Sequence, residues 1–137
     1  MMKLVVHLKA FIAGFLATVV FHQGTVLVCN MLGLIDRAPF NMDPTAPFGV
    51  PSLISISFFG GLWGIVIWHF VKNDSGAMFW LKSFLFGGVA LTAVAILIVS
   101  PIKGFGVSFD VARWAFGIIF NGMWGIGNSA FARLLKA

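Results

Sequence analysis

The 137-residue chain is 60% hydrophobic and only 9% charged, with a mean hydropathy of +1.02. A soluble domain carries about 25% charged residues, so this composition excludes an ordinary water-soluble protein. Nine Lys and Arg outnumber four Asp and Glu, but they stand singly at the ends of apolar stretches, where they can reach lipid headgroups. Nucleic-acid binding is therefore not expected. The single cysteine, Cys29, excludes an internal disulfide.

A bilayer core about 30 Å thick is crossed by roughly 20 apolar residues in a helix. Four stretches meet this requirement, at residues 10–32, 52–71, 79–99 and 111–135. They are separated by a proline-rich connection over residues 36–51, a polar turn over 72–76 and a loop over 103–110. The sequence predicts an all-α fold, with residues 1–137 forming one transmembrane domain of four helices whose partner is the lipid bilayer.

The basic residues predict the orientation of these helices. If the N-terminus is cytoplasmic, the cytoplasmic side carries Lys3, Lys9, Lys72, Lys82, Arg133 and Lys136, and the outer side carries Arg37, Lys103 and Arg113. An excess of Lys and Arg on the cytoplasmic side is the general rule for membrane proteins. We therefore expect both termini to lie in the cytoplasm.

Two parts of the sequence resemble each other. FGV at residues 48–50 precedes FGGLWGI at 59–65, and FGV at 105–107 precedes FNGMWGI at 120–126. The first helices of the two parts match more loosely. Gly14 is followed four residues later by Thr18, and Gly88 is followed four residues later by Thr92. The match predicts two helix hairpins, 1–71 and 79–137, that repeat in the same orientation about an axis along the membrane normal. Chance similarity between glycine-rich helices is the alternative.

Small residues allow close backbone approach between membrane helices, where apolar side chains gain nothing by leaving lipid. Glycines recur along one side of each predicted helix, and Gly60 and Gly64 form a close-contact motif. The predicted helix-packing residues are Gly14, Gly60, Gly61, Gly64, Gly88, Gly117, Gly122 and Gly125.

Polar residues within the apolar stretches are candidates for a site. Helical spacing places Thr18, His22 and Thr25 on one stripe of the first helix and Asn121 and Asn128 on one stripe of the fourth. His22 could act as a proton relay, a metal ligand or a haem ligand. The favoured interpretation is a neutral histidine that hydrogen-bonds across the bundle to Asn121, Asn128 or a backbone carbonyl, with an asparagine of the fourth helix as the preferred partner. The sequence offers no second histidine at the same depth and no zinc ligand set, so no metal or cofactor is expected.

The outer connection carries the remaining candidates, Asp36, Arg37, Phe40, Asp43 and Phe48. Four prolines exclude a regular helix here, and the segment is either a stiff connector or a docking surface. No Ser-His-Asp set and no phosphate-binding glycine loop is present, so enzymatic activity is not expected.

The strings FHQG at 21–24, RAPFNMDP at 37–44 with APFGVP at 46–51, and GGLWGI at 60–65 resemble a family of small four-helix bacterial membrane proteins. The resemblance covers most of the chain and implies the bacterial inner membrane. The family has no assigned activity, so the resemblance implies no catalytic residue.

The sequence favours a non-enzymatic structural or accessory subunit that self-associates or packs against a larger membrane complex. The alternative is a small channel or transporter, with a path lined by Thr18, His22, Thr25, Asn121 and Asn128. The two hypotheses differ in whether these residues line an accessible cavity or are sealed by helix contacts.

Overall fold

The computed structural model describes residues 1–137, and the chain folds into four long helices. These are α1 (Met2–Met31), α2 (Ser52–Val71), α3 (Gly76–Ile102) and α4 (Val111–Leu134). Both termini and the turn at 72–75 lie at one end of the bundle, which we call the terminus end. The connections at 32–51 and 103–110 lie at the other, the connection end. A two-residue antiparallel ladder, β1 (Pro44–Thr45) with β2 (Val50–Pro51), closes the first connection.

The fold is all-α, and the helices α1, α2 and α3 are long and apolar enough to cross a membrane. Many large apolar side chains point away from the bundle and are exposed, among them Val20, Phe59, Phe70 and Ile98. Soluble monomers rarely expose so much contiguous apolar surface. These features are those of a membrane protein.

Two helices are longer than the sequence predicted. Helix α1 begins at Met2 rather than at residue 10, and α3 runs from Gly76 through Pro101 to Ile102 instead of ending at residue 99. Pro101 cannot donate a backbone hydrogen bond. A π-helical turn over Ala95–Val99 ends two residues before it, and such local adjustments accommodate proline inside membrane helices.

The helices pack in the order α2, α1, α4, α3, and backbone contact at glycines joins α1 to α2. A methyl group on Gly14 would meet the carbonyl oxygen of Gly60 and would lie 2.9 Å from the Cα of Gly64. A methyl group on Gly64 would in turn lie 2.7 Å from the carbonyl oxygen of Ala10. The hairpin therefore tolerates no side chain at these positions, and the phenyl ring of Phe11 occupies the space beside Gly61.

Helices α3 and α4 pack in the same manner. A methyl group on Gly87 would lie 2.6 Å from the carbonyl oxygen of Asn121 and 2.8 Å from the Cα of Gly125. One on Gly125 would meet the carbonyl oxygen of Ser83, and the ring of Phe84 fills the space beside Gly122. The sequence had singled out Gly88, which contacts Ile118, and had overlooked Gly87.

Glycine contacts also join other parts of the bundle. Gly117 of α4 packs against the side chain of Thr92 in α3, and Gly127 of α4 packs against the ring of Phe21 in α1. The indole nitrogen of Trp124 donates to the carbonyl oxygen of Gly14 at 3.0 Å, which ties α4 to α1 at the centre of the bundle.

The terminus end is held by polar contacts around the turn at 72–75. Lys82 pairs with Asp74 at 2.9 Å, and Arg133 donates to the carbonyl oxygen of Asp74 at 3.1 Å. The guanidinium carbon of Arg133 also lies 3.3 Å from the centre of the Phe79 ring. These contacts join α3 and α4 to each other and to the turn that connects α2 with α3.

Candidate functional site

A cleft of about 370 Å³ opens between α2 and α3 in the half of the bundle nearest the connection end. The two helices contact each other through residues 76–85 of α3, and the rings of Phe70 and Phe86 stack at 5.6 Å beyond that segment. From there to the connection end they line opposite walls of the cleft.

The cleft has apolar walls, a polar floor and a basic mouth. The walls come from α2 (Ser55, Ile56, Phe59, Gly60, Trp63) and from α3 (Leu91, Val94, Ala95, Val99). The floor is formed by Thr18 and His22 of α1 with Asn121 and Trp124 of α4, and the mouth carries Arg37 and Lys103.

A second cleft of about 340 Å³ adjoins the first one. Both are lined by His22, Arg37 and Asn121. The second also reaches Thr92 and Arg113, and the Arg113 side chain donates to the hydroxyl of Ser100 at 3.1 Å. The two clefts therefore meet at His22 and Asn121, and the three cationic side chains Arg37, Lys103 and Arg113 line them.

The imidazole of His22 is oriented by Gln23, its neighbour in the chain. The backbone N–H of Phe40 donates to Oε1 of Gln23 at 2.8 Å, so the amide nitrogen of Gln23 faces Nδ1 of His22 at 3.0 Å. An amide nitrogen can only donate, so Nδ1 accepts and the neutral ring carries its proton on Nε2. His22 can thus donate one hydrogen bond from Nε2.

The first connection folds back over α1 because two amide side chains hold its backbone. Gln23 binds Phe40, and Asn30 donates to the carbonyl oxygens of Ile35 at 3.3 Å and Arg37 at 3.2 Å. Phe40 adopts a positive φ of 55°, an unfavourable conformation for a residue with a side chain. These contacts position the backbone of Arg37 at the mouth of the cleft.

Three of the five polar candidates come together and two do not. Thr18, His22 and Asn121 line the cleft, whereas Thr25 donates to the carbonyl oxygen of Phe21 in its own helix at 2.6 Å. Asn128 is fully buried and lies 3.5 Å from the carbonyl oxygen of Gly64.

The expected partner of His22 was wrong. The sequence favoured an asparagine of α4, but the ring nitrogen pairs with Gln23. Asn121 instead donates to the hydroxyl of Thr92 at 3.0 Å, which leaves it at the floor of the cleft without a bond to His22.

The docking candidates of the connection separate in the same way. Arg37 lines the cleft and Phe40 binds Gln23. Asp36 and Asp43 are exposed at the surface, and Phe48 projects outward with 89% of its surface exposed. These last three lie outside the cleft.

Sequence reasoning identified Arg37 but missed the other two basic residues of the site. Lys103 and Arg113 had served only to predict orientation, and Gln23 had no assigned partner. A glutamine inside an apolar run was the available signal, because a buried amide must find partners. Gln23 is only 3% exposed and finds two.

The cleft is positively charged and lacks a compensating acid. No Asp or Glu lines either cleft, and the one ion pair of the structure, Lys82 with Asp74, lies at the terminus end. Asp110 accepts from the backbone of Arg113 at 2.7 Å and caps α4. The site can therefore attract an anion, and it has no group of three His, Cys, Asp or Glu that could hold a metal ion.

The chain matches no protein-family model, and no curated protein or solved structure is significantly similar to it. The geometry of the cleft is therefore the basis for the function proposed below.

The Gln23 contact predicts a measurable loss of stability. Replacing Gln23 with leucine keeps the volume but removes the partners of His22 and Phe40, so we expect destabilisation of roughly 1 to 2 kcal/mol. Thermal unfolding in mild detergent measures it. Thr25→Val is the control because its hydroxyl bonds only to its own helix, and an equal effect of both changes would contradict the bridging role of Gln23.

Proposed function

We propose that the protein spans the membrane four times, with α4 as the fourth span. Helix α4 has 24 residues, which at 1.5 Å per residue exceeds the bilayer core of about 30 Å. Its polar residues Asn128 and Ser129 are fully buried against neighbouring helices. The hydroxyls of Ser129 and Ser83 share a hydrogen bond at 2.6 Å, and the amide nitrogen of Asn128 faces the carbonyl oxygen of Gly64 at 3.5 Å, so neither side chain faces lipid.

We propose that the two hairpins are copies of one ancestral hairpin. The contact between Gly14 and Gly64 corresponds to that between Gly87 and Gly125, and the ring of Phe11 beside Gly61 corresponds to that of Phe84 beside Gly122. These pairs keep one constant offset in the first helices, 73 residues, and another in the second helices, 61 residues, as a duplication requires.

The proposed orientation places the terminus end in the cytoplasm of a bacterial cell and the connection end outside. Six of the nine basic residues belong to the terminus end, in agreement with the positive-inside rule. The cleft then opens in the outer half of the inner membrane.

The protein acts in this proposal as a non-enzymatic accessory protein, alone or in a larger membrane complex, and works by binding a molecule in the cleft. The observation that supports binding over conduction is the closed inner half of the bundle. Trp124 binds Gly14, Asn128 faces Gly64, and Ser83 binds Ser129 at 2.6 Å. These internal bonds leave no polar path from the cleft to the terminus end.

A small transporter is the second candidate, because Thr18, His22 and Asn121 do line an open space. Transport would require the contacts around Asn128 to open towards the cytoplasm. The two candidates therefore differ in the accessibility of Asn128 from the inside.

Cysteine labelling separates the two candidates. In a Cys29→Ser background, Lys103→Cys at the mouth of the cleft should react with an impermeant maleimide added outside. Asn128→Cys, in the sealed half, should react from neither side. Labelling of Asn128→Cys in inverted vesicles would favour transport, and labelling of Lys103→Cys only in inverted vesicles would overturn the orientation.

A further inference from the structure

We propose that the cleft binds an anionic membrane lipid, with its phosphate at Arg37 and Lys103 and one hydrocarbon chain along the walls. This inference rests on the proposed binding function and adds the chemical class of the ligand. It follows from the charge of the mouth, the apolarity of the walls and the opening between α2 and α3.

The charge of the mouth selects an anion. Arg37 and Lys103 line the same cleft, and neither forms an ion pair within the protein. Arg113 adds a third positive group beside the adjoining space. Arginine presents several N–H donors in a planar array that matches phosphate oxygens, and basic pockets between membrane helices bind phosphate headgroups.

The walls select a molecule with a hydrocarbon chain. Below the mouth the cleft is lined by Ile56, Phe59 and Trp63 on α2, and by Leu91 and Val94 on α3. Phe59 is 57% exposed and stands at the edge where the cleft meets the lipid-facing surface. A small soluble anion would leave these apolar walls uncovered, whereas a lipid chain covers them.

The size and position of the cleft fit part of a lipid. About 370 Å³ is near the lower end of the range of roughly 300–1,000 Å³ that is usual for ligand pockets. This space accommodates a headgroup and the first part of one chain. The opening between α2 and α3 lets the remaining chain stay in the bilayer. The three cations are at the helix ends, the depth at which lipid phosphates lie.

The floor adds polar contacts for the headgroup. His22 carries a proton on Nε2 because Gln23 donates to its Nδ1, so the ring can donate to a phosphate or glycerol oxygen. Asn121 lies beside it on α4. These groups distinguish the cleft from a general lipid-facing groove.

The test compares two lipids with identical chains by native mass spectrometry of the protein in mild detergent. We expect phosphatidylglycerol to bind about ten-fold or more tightly than zwitterionic phosphatidylcholine, because each nearby cation favours the anionic headgroup. The variant Arg37→Gln/Lys103→Gln should lose this preference. The control Lys72→Gln/Lys136→Gln removes two positive charges from the terminus end and should keep it.

Several outcomes would overturn the proposal. These are a preference that survives Arg37→Gln/Lys103→Gln, a preference lost equally in the control, and displacement of the lipid by equimolar glycerol phosphate, which would identify a soluble anion as the ligand. If the double variant does not fold, the single variant Lys103→Gln must show a partial loss, since the side chain of Lys103 is exposed and makes no hydrogen bond within the chain.

Chain-brominated lipids separate this inference from the function on which it rests. Bromine on the chain should quench Trp63, and the quenching should decrease in Trp63→Phe. Equal affinity for both lipids with quenching of Trp63 would refute the anionic preference and leave the binding cleft intact. Absence of Trp63 quenching by either lipid would refute both.

Discussion

Alanine at Gly14 is expected to destabilise the protein by about 2 kcal/mol. The added methyl group would meet the carbonyl oxygen of Gly60 and the Cα of Gly64, and both are backbone atoms that cannot rotate away. Overpacking a tight contact costs typically about 1–3 kcal/mol, and two rigid backbone contacts put Gly14 at the upper end of this range. The gain in helix propensity of about 1 kcal/mol that alanine brings offsets only part of this cost.

The same helix contains a matched control for this substitution. A methyl group on Gly24 would find no atom within 4 Å. Gly24→Ala should therefore leave stability unchanged or raise it by up to about 1 kcal/mol. Thermal unfolding of both variants in the same detergent makes the comparison, and equal melting temperatures would show that Gly14 is not at a close helix contact.

The second hairpin supplies an independent check of the duplication. Gly87 occupies the position equivalent to Gly14, and its methyl group would lie 2.8 Å from the Cα of Gly125. Gly87→Ala should lower the melting temperature about as much as Gly14→Ala. A negligible effect at Gly87 would mean that the two hairpins do not depend on the same packing, and it would weaken the case for common ancestry.

Hydrophobic periodicity predicted where the helices lie. It did not predict which side of α1 and α3 is buried beyond their π-helical turns, because each such turn rotates the rest of the helix. The turn over Thr18–His22 adds one residue, which shifts the helix face by about 100°. The buried positions consequently pass from Thr18 to Gln23, five residues later, and then to Val26. A regular helix would have placed Thr25 on this face, which explains why the predicted polar site included Thr25 and left out Gln23.

The same irregularity explains the choice of Gly88 over Gly87. Gly14 and Thr18 are four residues apart, and their counterparts Gly87 and Thr92 are five apart. A π-helical turn over Phe86–Ala90 accommodates the extra residue. When the two halves of the sequence are compared with a fixed spacing of four residues before Thr92, Gly88 is selected in place of Gly87.

The cleft itself could not be predicted from the sequence. It depends on three parts of the chain that are distant in sequence: Arg37 in the first connection, Lys103 after α3, and Asn121 in α4. Hydropathy places the two cations near helix ends but says nothing of which helices diverge. The glycine motifs, by contrast, act between consecutive helices, so their spacing along one helix is visible in the sequence itself.

The divergence of α2 from α3 marks a difference between the two halves of the proposed repeat. Exact two-fold symmetry would make the contact between α3 and α2 equal to that between α1 and α4. In the contact between α1 and α4, Trp124 is 1% exposed and donates to the carbonyl oxygen of Gly14. Its counterpart Trp63 lines the open cleft instead. One interface is closed, and the equivalent interface forms the candidate binding site.

This asymmetry predicts unequal effects of equivalent substitutions. Trp124→Phe should destabilise the protein by about 2–3 kcal/mol, because it removes a buried hydrogen bond and leaves a cavity beside Gly14. Trp63→Phe should cost less than about 1 kcal/mol, since the indole of Trp63 is only partly buried and makes no hydrogen bond within the chain. Thermal unfolding of the two variants in lipid-free detergent measures the difference. Equal losses would mean that Trp63 is packed as tightly as Trp124 and that the cleft between α2 and α3 closes in the isolated protein, which would remove the space required for a lipid.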